Sequence, residues 1–176
     1  MTEPADVFGD PYAAGLVAEA AKKSGLVWLA DDGGRAHPAW HVWRESAVYV
    51  VHEGREQPLP WLRRASRVRV TVPSKDKGGR LVTWVATPVA LDPGSPEWDA
   101  AVADLHAARL NPPDGEAQPA RWARESLVTR LEPTGELLER PGAMPSGSHV
   151  AEPVRTSATT RDKLPFVIGR RARRRR

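Results

Sequence analysis

The residues best suited to chemistry in this sequence begin with the stretch AHPAWHVW, from Ala36 to Trp43. It places His37 and His41 four positions apart. On a helix, this spacing would bring both imidazoles onto one face, where they can share a metal ion. Pro38 and the β-rich neighbouring sequence instead predict a strand, which separates the two rings by about 13 Å at about 3.3 Å per residue. We therefore expect two half-exposed imidazoles or part of a pocket wall, and no shared ion.

A third histidine, His52, follows in the next apolar stretch. If Arg44 and Glu45 form a two-residue turn, the antiparallel register sets His37 opposite His52. That pair could touch, yet two imidazoles without a carboxylate or a third ligand make a poor metal site. We therefore expect two half-exposed imidazoles near a barrel rim, with a pocket role as the alternative, and no bound metal.

The stretch SKDKGGR offers a further set of polar groups, because Lys75, Lys77 and Arg80 surround a Gly-Gly turn. These cations could meet an anion, and a solvated hairpin tip is the alternative. Of the seven tryptophans, Trp40 and Trp84 are candidates for stacking on a flat ligand. A glycine-rich phosphate loop, G-x-S-x-G, H-E-x-x-H and carboxylate clusters with metal spacing are all absent from the sequence.

Composition restricts the class of protein. A chain of 176 residues, 40% of them hydrophobic, can bury one sizeable core. The absence of cysteine excludes disulfides and thiolate metal sites. The N-terminus is acidic and lacks an apolar signal region, and no apolar run reaches the length of about 18 residues that a membrane span needs. We therefore expect neither secretion nor a membrane span, and predict a soluble cytoplasmic protein.

The basic character of the chain belongs to its C-terminal end. The net charge is +4, but the final RRARRRR holds six arginines, so the remainder carries −2. From Pro141 onward, prolines and small polar residues prevail without periodicity, which predicts disorder. We therefore predict one domain over residues 1–140 and a disordered tail over 141–176, whose short apolar LPFVIG could dock on the body. The arginines could hold a nucleic acid or an acidic partner through counterion release.

Helix signals occur at three places. Asp10 and the proline after it form an N-cap and first turn, and Gly25 stands where a terminating glycine is expected. Ser95 opens a second helix, which we expect to continue until Asn111. A third helix is predicted over 119–126. The apolar face of the second helix is predicted to consist of Trp98, Val102, Leu105 and Leu110.

Strands are predicted in the intervals between the helices. Each is rich in β-branched and aromatic residues and is bounded by turn residues. They cover 26–30, 35–43, 46–52, 67–73, 80–92 and 126–132. Because most of them are linked as hairpins, the sequence predicts an α+β domain, a six-stranded antiparallel β-barrel with flanking helices.

The order of these elements resembles the pyridoxamine 5′-phosphate oxidase-like split β-barrels, which include flavin and deazaflavin oxidoreductases. The resemblance covers about residues 12–132. It depends on a glycine turn after the first strand, on Pro38, Ala39 and Trp40 where the family often has proline, an apolar residue and an aromatic, and on a polar loop with a short helix after the third strand.

This resemblance implies the residues of a cofactor site. It places Pro38, Ala39 and Trp40 beside a flavin ring. The third strand and the loop behind it, which hold the phosphate in relatives that bind FMN, correspond to Val51, His52, Arg55 and Gln57. The sequence departs from the family here, since Val51 or His52 replaces the usual threonine and Gln57 or Glu56 stands where lysine is common.

Two functions follow from the resemblance. The first is a flavin- or deazaflavin-dependent oxidoreductase, in which FMN or a deazaflavin carries the hydride chemistry on a small-molecule substrate. The second is a split-barrel protein that binds a cofactor or ligand without turnover. The resemblance also implies a homodimer with the ligand cleft along its interface. A role of the arginine tail in nucleic-acid binding is a third possibility.

Overall fold

A computed structural model describes residues 7–76 and 78–147 of the chain. Its regular elements are three α-helices, seven strands and two short 3₁₀ turns. In chain order they are α1 (Pro11–Lys23), β1 (Val27–Ala30), β2 (His37–Ala39), β3 (Val42–Arg44), β4 (Ala47–His52), a 3₁₀ turn (Pro60–Arg63), β5 (Val68–Pro73), β6 (Arg80–Ala90), α2 (Pro96–Ala108), a 3₁₀ turn (Gly115–Ala117), α3 (Gln118–Glu125) and β7 (Leu127–Glu139). The α+β class is confirmed.

The seven strands form one antiparallel sheet in the order β2-β1-β5-β6-β7-β4-β3. The two edge strands, β2 and β3, are consecutive in the chain and are joined only by Trp40 and His41. Because so short a connection spans little more than 10 Å, at about 3.3–3.6 Å per residue, the sheet must curl until its edges meet. The stretch AHPAWHVW therefore forms the seam of a split barrel.

The strand count differs from the prediction by one. The single strand predicted over 35–43 is two strands, because Ala39 pairs with Val27 on β1 whereas Val42 pairs with Tyr49 on β4. A run of β-forming residues indicates extended backbone but carries no information about which neighbour it pairs with. The last strand is also longer than predicted and reaches Glu139.

The hairpin between β3 and β4 turns one residue later than predicted. Glu45 and Ser46 both have positive φ, 46° and 61°, and Arg44 pairs with Ala47. This two-residue turn shifts the register, so the predicted pairing of His37 with His52 is wrong. His37 instead lies opposite Leu29 on β1, and His52 lies opposite Leu127 on β7.

The predicted helix starts are confirmed, whereas two helix ends differ. The side chain of Asp10 accepts a hydrogen bond from the amide of Tyr12, and that of Ser95 accepts one from the amide of Trp98. Helix α1 ends at Lys23 without a left-handed glycine, so Gly25 does not terminate it as predicted. Helix α2 ends at Ala108, before the predicted stop, and Leu110 is consequently 82% exposed.

Two apolar layers hold these elements together. The inside of the curled sheet, with α1 across it, buries a cluster that includes Val50, Val70 and Trp84. The outer face of β4 packs against α2 and α3 in a second cluster that includes Tyr49 and Trp122. Every residue of β4 is therefore buried. Trp84, proposed as a pocket residue, is fully buried in the first cluster and has a core role.

The remaining predictions concern the hairpin tip and the chain ends. The SKDKGGR hairpin is confirmed, since the amide of Ser74 donates to the carbonyl of Gly79; Lys75 is exposed, and Arg80 lies 2.9 Å from the carboxylate of Glu139. Lys77 and the LPFVIG segment lie outside the described residues, and the domain boundary near residue 140 stays a prediction. None of the helices in the described ranges is long and apolar enough to cross a bilayer.

Candidate functional site

Gln57 holds the barrel seam together. Its side-chain oxygen accepts a hydrogen bond from the amide of Trp40 at 2.6 Å. Its amide group donates to the carbonyls of Trp40 and Val51, both at 3.0 Å. The chain leaves one sheet edge for the other at Trp40, so its amide and carbonyl lack strand partners, and Gln57 supplies them. The structure therefore brings Trp40, Val51 and Gln57 together, through bonds that occupy both side-chain donors of Gln57.

The neighbouring Glu56 points the opposite way, into a buried ion network beneath α2 and α3. Its side chain is 1% exposed and accepts hydrogen bonds from Arg121 at 2.7 Å, Gln118 at 2.8 Å and the indole of Trp122 at 3.0 Å. The guanidinium of Arg109 lies 3.4 Å from its second oxygen. A buried carboxylate needs such partners to offset its lost hydration. We call these residues, with Asp114, which pairs with Arg121, the Glu56 network.

Trp40 is covered by this network. The guanidinium carbon of Arg109 lies 5.4 Å from the centre of the Trp40 ring, and the ring of Trp122 lies 6.4 Å away. The first distance is that of a cation–π contact. Of the three residues predicted to lie beside a flavin ring, Ala39 is fully buried and Pro38 is exposed on the outer surface. The three side chains therefore do not form one continuous surface.

His52 is buried and uncharged in the fold. Its Nε2 atom lies 2.9 Å from the hydroxyl of Thr129, and its Nδ1 atom lies 3.6 Å from the carboxylate of Glu53. Burial lowers the pKa of His52 below its usual range, and the cation of Arg63 lowers it further, although Glu53 acts in the opposite direction. A neutral, fully buried imidazole cannot serve as a cation for phosphate.

The loop after β4 is held by backbone hydrogen bonds and packs closely against Glu125. The amide of Glu53 donates to the carbonyl of Gln57, and the amide of Glu56 donates to the carbonyl of Glu53, both at 3.0 Å. Gly54 has a φ of +61°, and a β-carbon there would lie 2.5 Å from the carbonyl oxygen of Glu125. Only glycine therefore fits this position. Arg55 projects from the loop and is exposed.

Beside this loop lies an open groove of about 830 Å³, which we call the Trp61 groove. It lies where the β1–β2 loop, the start of the β4–β5 connection and the 3₁₀ turn meet. The ring of His37 lies 6.0 Å from that of Trp61. The volume of the groove is within the range of about 300–1,000 Å³ that is usual for small-molecule sites. The groove is lined by Asp31, Glu53, Pro60, Trp61, Arg63, Arg64 and Ala65.

Most arginines of the described residues are ion-paired or hydrogen-bonded; the exceptions are Arg35 in the β1–β2 loop and three arginines near the groove. Within residues 7–76 and 78–147, the guanidinium groups of Arg55, Arg63 and Arg64 make no ion pair or hydrogen bond. All three lie on the connection between β4 and β5. The ion-paired arginines are Arg44, Arg67, Arg80, Arg109, Arg121, Arg130 and Arg140.

The residues that the resemblance assigned to a phosphate do not fit that group. A phosphate needs several charge-assisted donors. Val51 is apolar and buried, His52 is neutral, and both donors of Gln57 are bound to the backbone. Of this set, only Arg55 has donors free. The Trp61 groove fits an anionic planar group better, because it combines an indole with two unpaired guanidinium groups.

Sequence reasoning missed three residues of this groove, Trp61, Arg63 and Arg64. The signal was present in the stretch PWLRR, an aromatic residue followed by two adjacent cations in the polar connection after the third predicted strand. It was hidden because the sequence does not show which arginines find carboxylates in the fold. No group of three or more histidine or acidic side chains within the described ranges is placed to hold a metal ion.

No protein-family model and no curated protein matches the sequence. Solved structures do resemble the fold. HutZ, the heme storage protein from Vibrio cholerae, is 16% identical with a TM-score of 0.50, over 69% of this chain and 90% of HutZ.

Two further structures are more distant. A conserved hypothetical protein from Mycobacterium tuberculosis is 16% identical over 76% of this chain and 86% of its own, with a TM-score of 0.49. A protein described as FAD-binding from Mesorhizobium loti is 17% identical over 66% and 84%, with a TM-score of 0.44. At such identities the comparisons speak for the fold alone, and the chain has the split β-barrel fold that its sequence predicted.

Proposed function

We propose that this protein binds a planar cofactor with an acidic group, of the flavin type, in the Trp61 groove. FMN and the deazaflavins have this chemistry. The observation that carries the proposal is that one groove is lined by the half-buried indole of Trp61 and by Arg63 and Arg64, whose guanidinium groups have no partner within the described residues. The split-barrel fold, which the resemblance associates with flavin and deazaflavin oxidoreductases, supports the same class of ligand.

Each part of the groove has a counterpart in such a ligand. The indole of Trp61 offers an apolar face for ring stacking. Arg63 and Arg64 offer charge-assisted donors to a phosphate or carboxylate, and the exposed Arg55 on the same connection adds a third cation. The carboxylates of Asp31 and Glu53, which also line the groove, can accept hydrogen bonds from the hydroxyl groups of a ribityl chain.

In the enzyme form of the proposal, the protein is a flavin- or deazaflavin-dependent oxidoreductase. When bound, the cofactor supplies the hydride transfer, and a catalytic acid or base on the protein is not required for that step. The role of this chain is to orient the ring on Trp61 and to hold the acidic group with Arg63 and Arg64.

The second candidate is a carrier that binds such a ligand without turnover. It is favoured by one observation, that the loop expected to hold the phosphate has its polar groups committed to the protein itself, Gln57 to the seam and Glu56 to the network. A split barrel without phosphate contacts from this loop still has the Trp61 groove available for binding. For either candidate we propose a homodimer, since a second copy would cover a groove that is open on this one.

Spectroscopic titration tests the proposal. FMN and a deazaflavin are added separately to the purified protein, and each bound complex is then offered a nicotinamide reductant followed by an acceptor. We expect saturable binding that shifts the visible spectrum. Reduction and reoxidation of the bound cofactor would support the oxidoreductase, and binding without turnover would support the carrier. If neither compound binds at concentrations of about 1 mM, which corresponds to about 4 kcal/mol of binding energy, the proposal is wrong.

A control variant assigns the binding to this groove. Trp61→Ala removes the stacking surface, and we expect it to weaken the binding of FMN about tenfold or more, because an aromatic stacking contact contributes about 1–3 kcal/mol. Trp28→Ala is the matched control, since Trp28 is a tryptophan that is 40% exposed on β1 and does not line the groove. Equal effects of the two substitutions would show that the ligand binds elsewhere.

A further inference from the structure

We infer that Gln57 is a positioning residue, which fixes the wall of the Trp61 groove and makes no contact with the ligand. This inference rests on the proposed function and assigns a different role to the position at which the resemblance implied a phosphate contact. Three features of the structure carry it: the bonds of Gln57 itself, the anchoring of Glu56 beside it, and the geometry of the loop between Gln57 and the groove.

The bonding capacity of Gln57 is used within the protein. A glutamine side chain has two N–H donors and one oxygen acceptor. In Gln57 the donors reach the carbonyls of Trp40 and Val51, and the oxygen receives the amide of Trp40. A phosphate dianion can only accept hydrogen bonds, so to bind the Gln57 amide it would have to displace one of these carbonyls. The displaced carbonyl would then be left without a donor at a partly buried position, which costs about 1–3 kcal/mol.

Glu56 fixes the same loop from the other side. The side chain of Gln57 reaches the seam of the barrel, whereas that of Glu56, at the end of the turn that begins at Glu53, reaches α3 through Arg121 and Trp122. The loop is therefore held between the barrel and the helices by two adjacent residues.

The loop transmits this anchoring to the groove through short backbone bonds. The carbonyl of Gln57 accepts the amide of Glu53, whose side chain lines the groove. Glu53 has a φ of +66°, a left-handed conformation that is costly for this residue type and persists only when neighbouring bonds enforce it. Its carbonyl also accepts the hydroxyl of Ser126 at 3.3 Å. Releasing Gln57 would therefore allow Glu53 and its part of the groove wall to relax.

A residue that positions the groove wall and a residue that contacts the phosphate affect the affinities of different ligands differently. A residue that positions the wall affects every ligand of the groove by the same factor. A residue that contacts the phosphate affects FMN but not riboflavin, which has the same ring and ribityl chain without the phosphate. The ratio of the two affinities therefore distinguishes the roles.

The experiment measures the affinities of FMN and riboflavin for the wild type, Gln57→Met and Arg63→Met. Methionine keeps the length of each side chain while removing its hydrogen-bonding groups. For Gln57→Met, we expect both ligands to bind about tenfold more weakly and their ratio to stay within about twofold of the wild type. For Arg63→Met, we expect FMN alone to lose about ten- to a hundredfold in affinity. A loss confined to FMN in Gln57→Met would overturn the inference.

A second measurement keeps the test valid if no flavin binds, in which case the proposed function fails by itself. Amide hydrogen exchange follows the N–H groups of Trp40 and Glu53, which depend on Gln57 directly or through its backbone. In Gln57→Met we expect both amides to exchange at least tenfold faster. Gln57→Glu retains an acceptor for the amide of Trp40, so in this variant we expect only the amide of Glu53 to exchange faster. Unchanged exchange of both amides in Gln57→Met would overturn the positioning role. Arg55→Met, a substitution in the same loop, should leave both rates unchanged.

Discussion

The arginines of the helical side and those of the Trp61 groove show two uses of one residue type. Beneath α2 and α3, Arg109 and Arg121 surround a carboxylate that is 1% exposed. At the groove, Arg63 and Arg64 form no ion pair among the described residues, although Asp31 and Glu53 also line it. The charges of Arg109 and Arg121 are balanced by a carboxylate of the protein, whereas those of Arg63 and Arg64 are not paired.

This difference indicates where a ligand can bind. A guanidinium that is already paired must give up its partner before it can receive an external anion, and breaking a buried pair costs about 3–5 kcal/mol. An unpaired and exposed guanidinium can bind an anion without that loss. We therefore expect substitutions in the Glu56 network to change stability, and substitutions of the groove arginines to change binding.

The largest expected effect is on the free energy of unfolding of Glu56→Gln. This variant keeps the size of the side chain but removes the charge that Arg109 and Arg121 require. We expect a loss of about 3 kcal/mol or more, measured by denaturant titration. Glu116→Gln, an exposed glutamate of the nearby 3₁₀ turn, should change stability by less than about 0.5 kcal/mol. Equal losses in the two variants would show that the network is not stabilising.

A smaller effect is expected from Gly54→Ala in the loop that separates the two regions. The added β-carbon would lie 2.5 Å from a backbone oxygen, at a φ of +61°. We expect a loss of about 1–3 kcal/mol in unfolding free energy. Gly33→Ala is the matched control, because Gly33 also has a positive φ but has open space around it. If Gly33→Ala costs as much, the cause is the backbone conformation alone and the close approach to Glu125 does not contribute.

A smaller effect, a loss of about 1 kcal/mol in the free energy of unfolding, is expected when the pH is lowered. His41 lies at the seam, 8% exposed, and its Nε2–H donates to the carbonyl of Ala21. Burial lowers the pKa of His41, although this hydrogen bond acts in the opposite direction. The folded protein therefore keeps His41 neutral, while the unfolded chain binds a proton as the pH falls through about 6.5.

Stability should consequently be complete above pH 6.5 and decline below it, by up to about 1.4 kcal/mol per pH unit for each such group. His52, whose pKa burial also lowers, contributes in the same direction. Denaturant titrations at pH 7.5 and 5.5 should show a smaller decline in His41→Gln than in the wild type. A decline that is identical in the two proteins would contradict the assignment to His41.

The sequence predicted the framework of the fold well. Periodicity and caps are local signals, so the starts of α1 and α2 at Asp10 and Ser95 were predicted correctly. The break at Trp40 was missed, because the partner of each half of the stretch is set by the curl of the whole sheet. The one-residue error in the turn at Glu45 had a large consequence, since a change of register alters every cross-strand pair.

The candidate site was predicted less completely. The residues that the resemblance implied include Trp40, Val51 and Gln57, which contact one another in the structure, and their part in a cofactor site stays a prediction. Their role could not be predicted from the sequence, because the sequence does not show whether a glutamine side chain is bonded to the backbone or free to bind a ligand. The same holds for arginines, whose pairing depends on residues such as Glu56 and Arg121, which are distant in the sequence and close in the fold.

The most direct test of this account compares the double variant Arg63→Ala/Arg64→Ala with Arg121→Ala, measuring for each the affinity for FMN and the free energy of unfolding. We expect the double variant to bind FMN at least tenfold more weakly, with an unfolding free energy within about 0.5 kcal/mol of the wild type. Arg121→Ala should lose about 3 kcal/mol or more of stability, because it leaves the carboxylate of Glu56 buried with fewer partners. A double variant that binds FMN as tightly as the wild type would contradict the assignment of the groove.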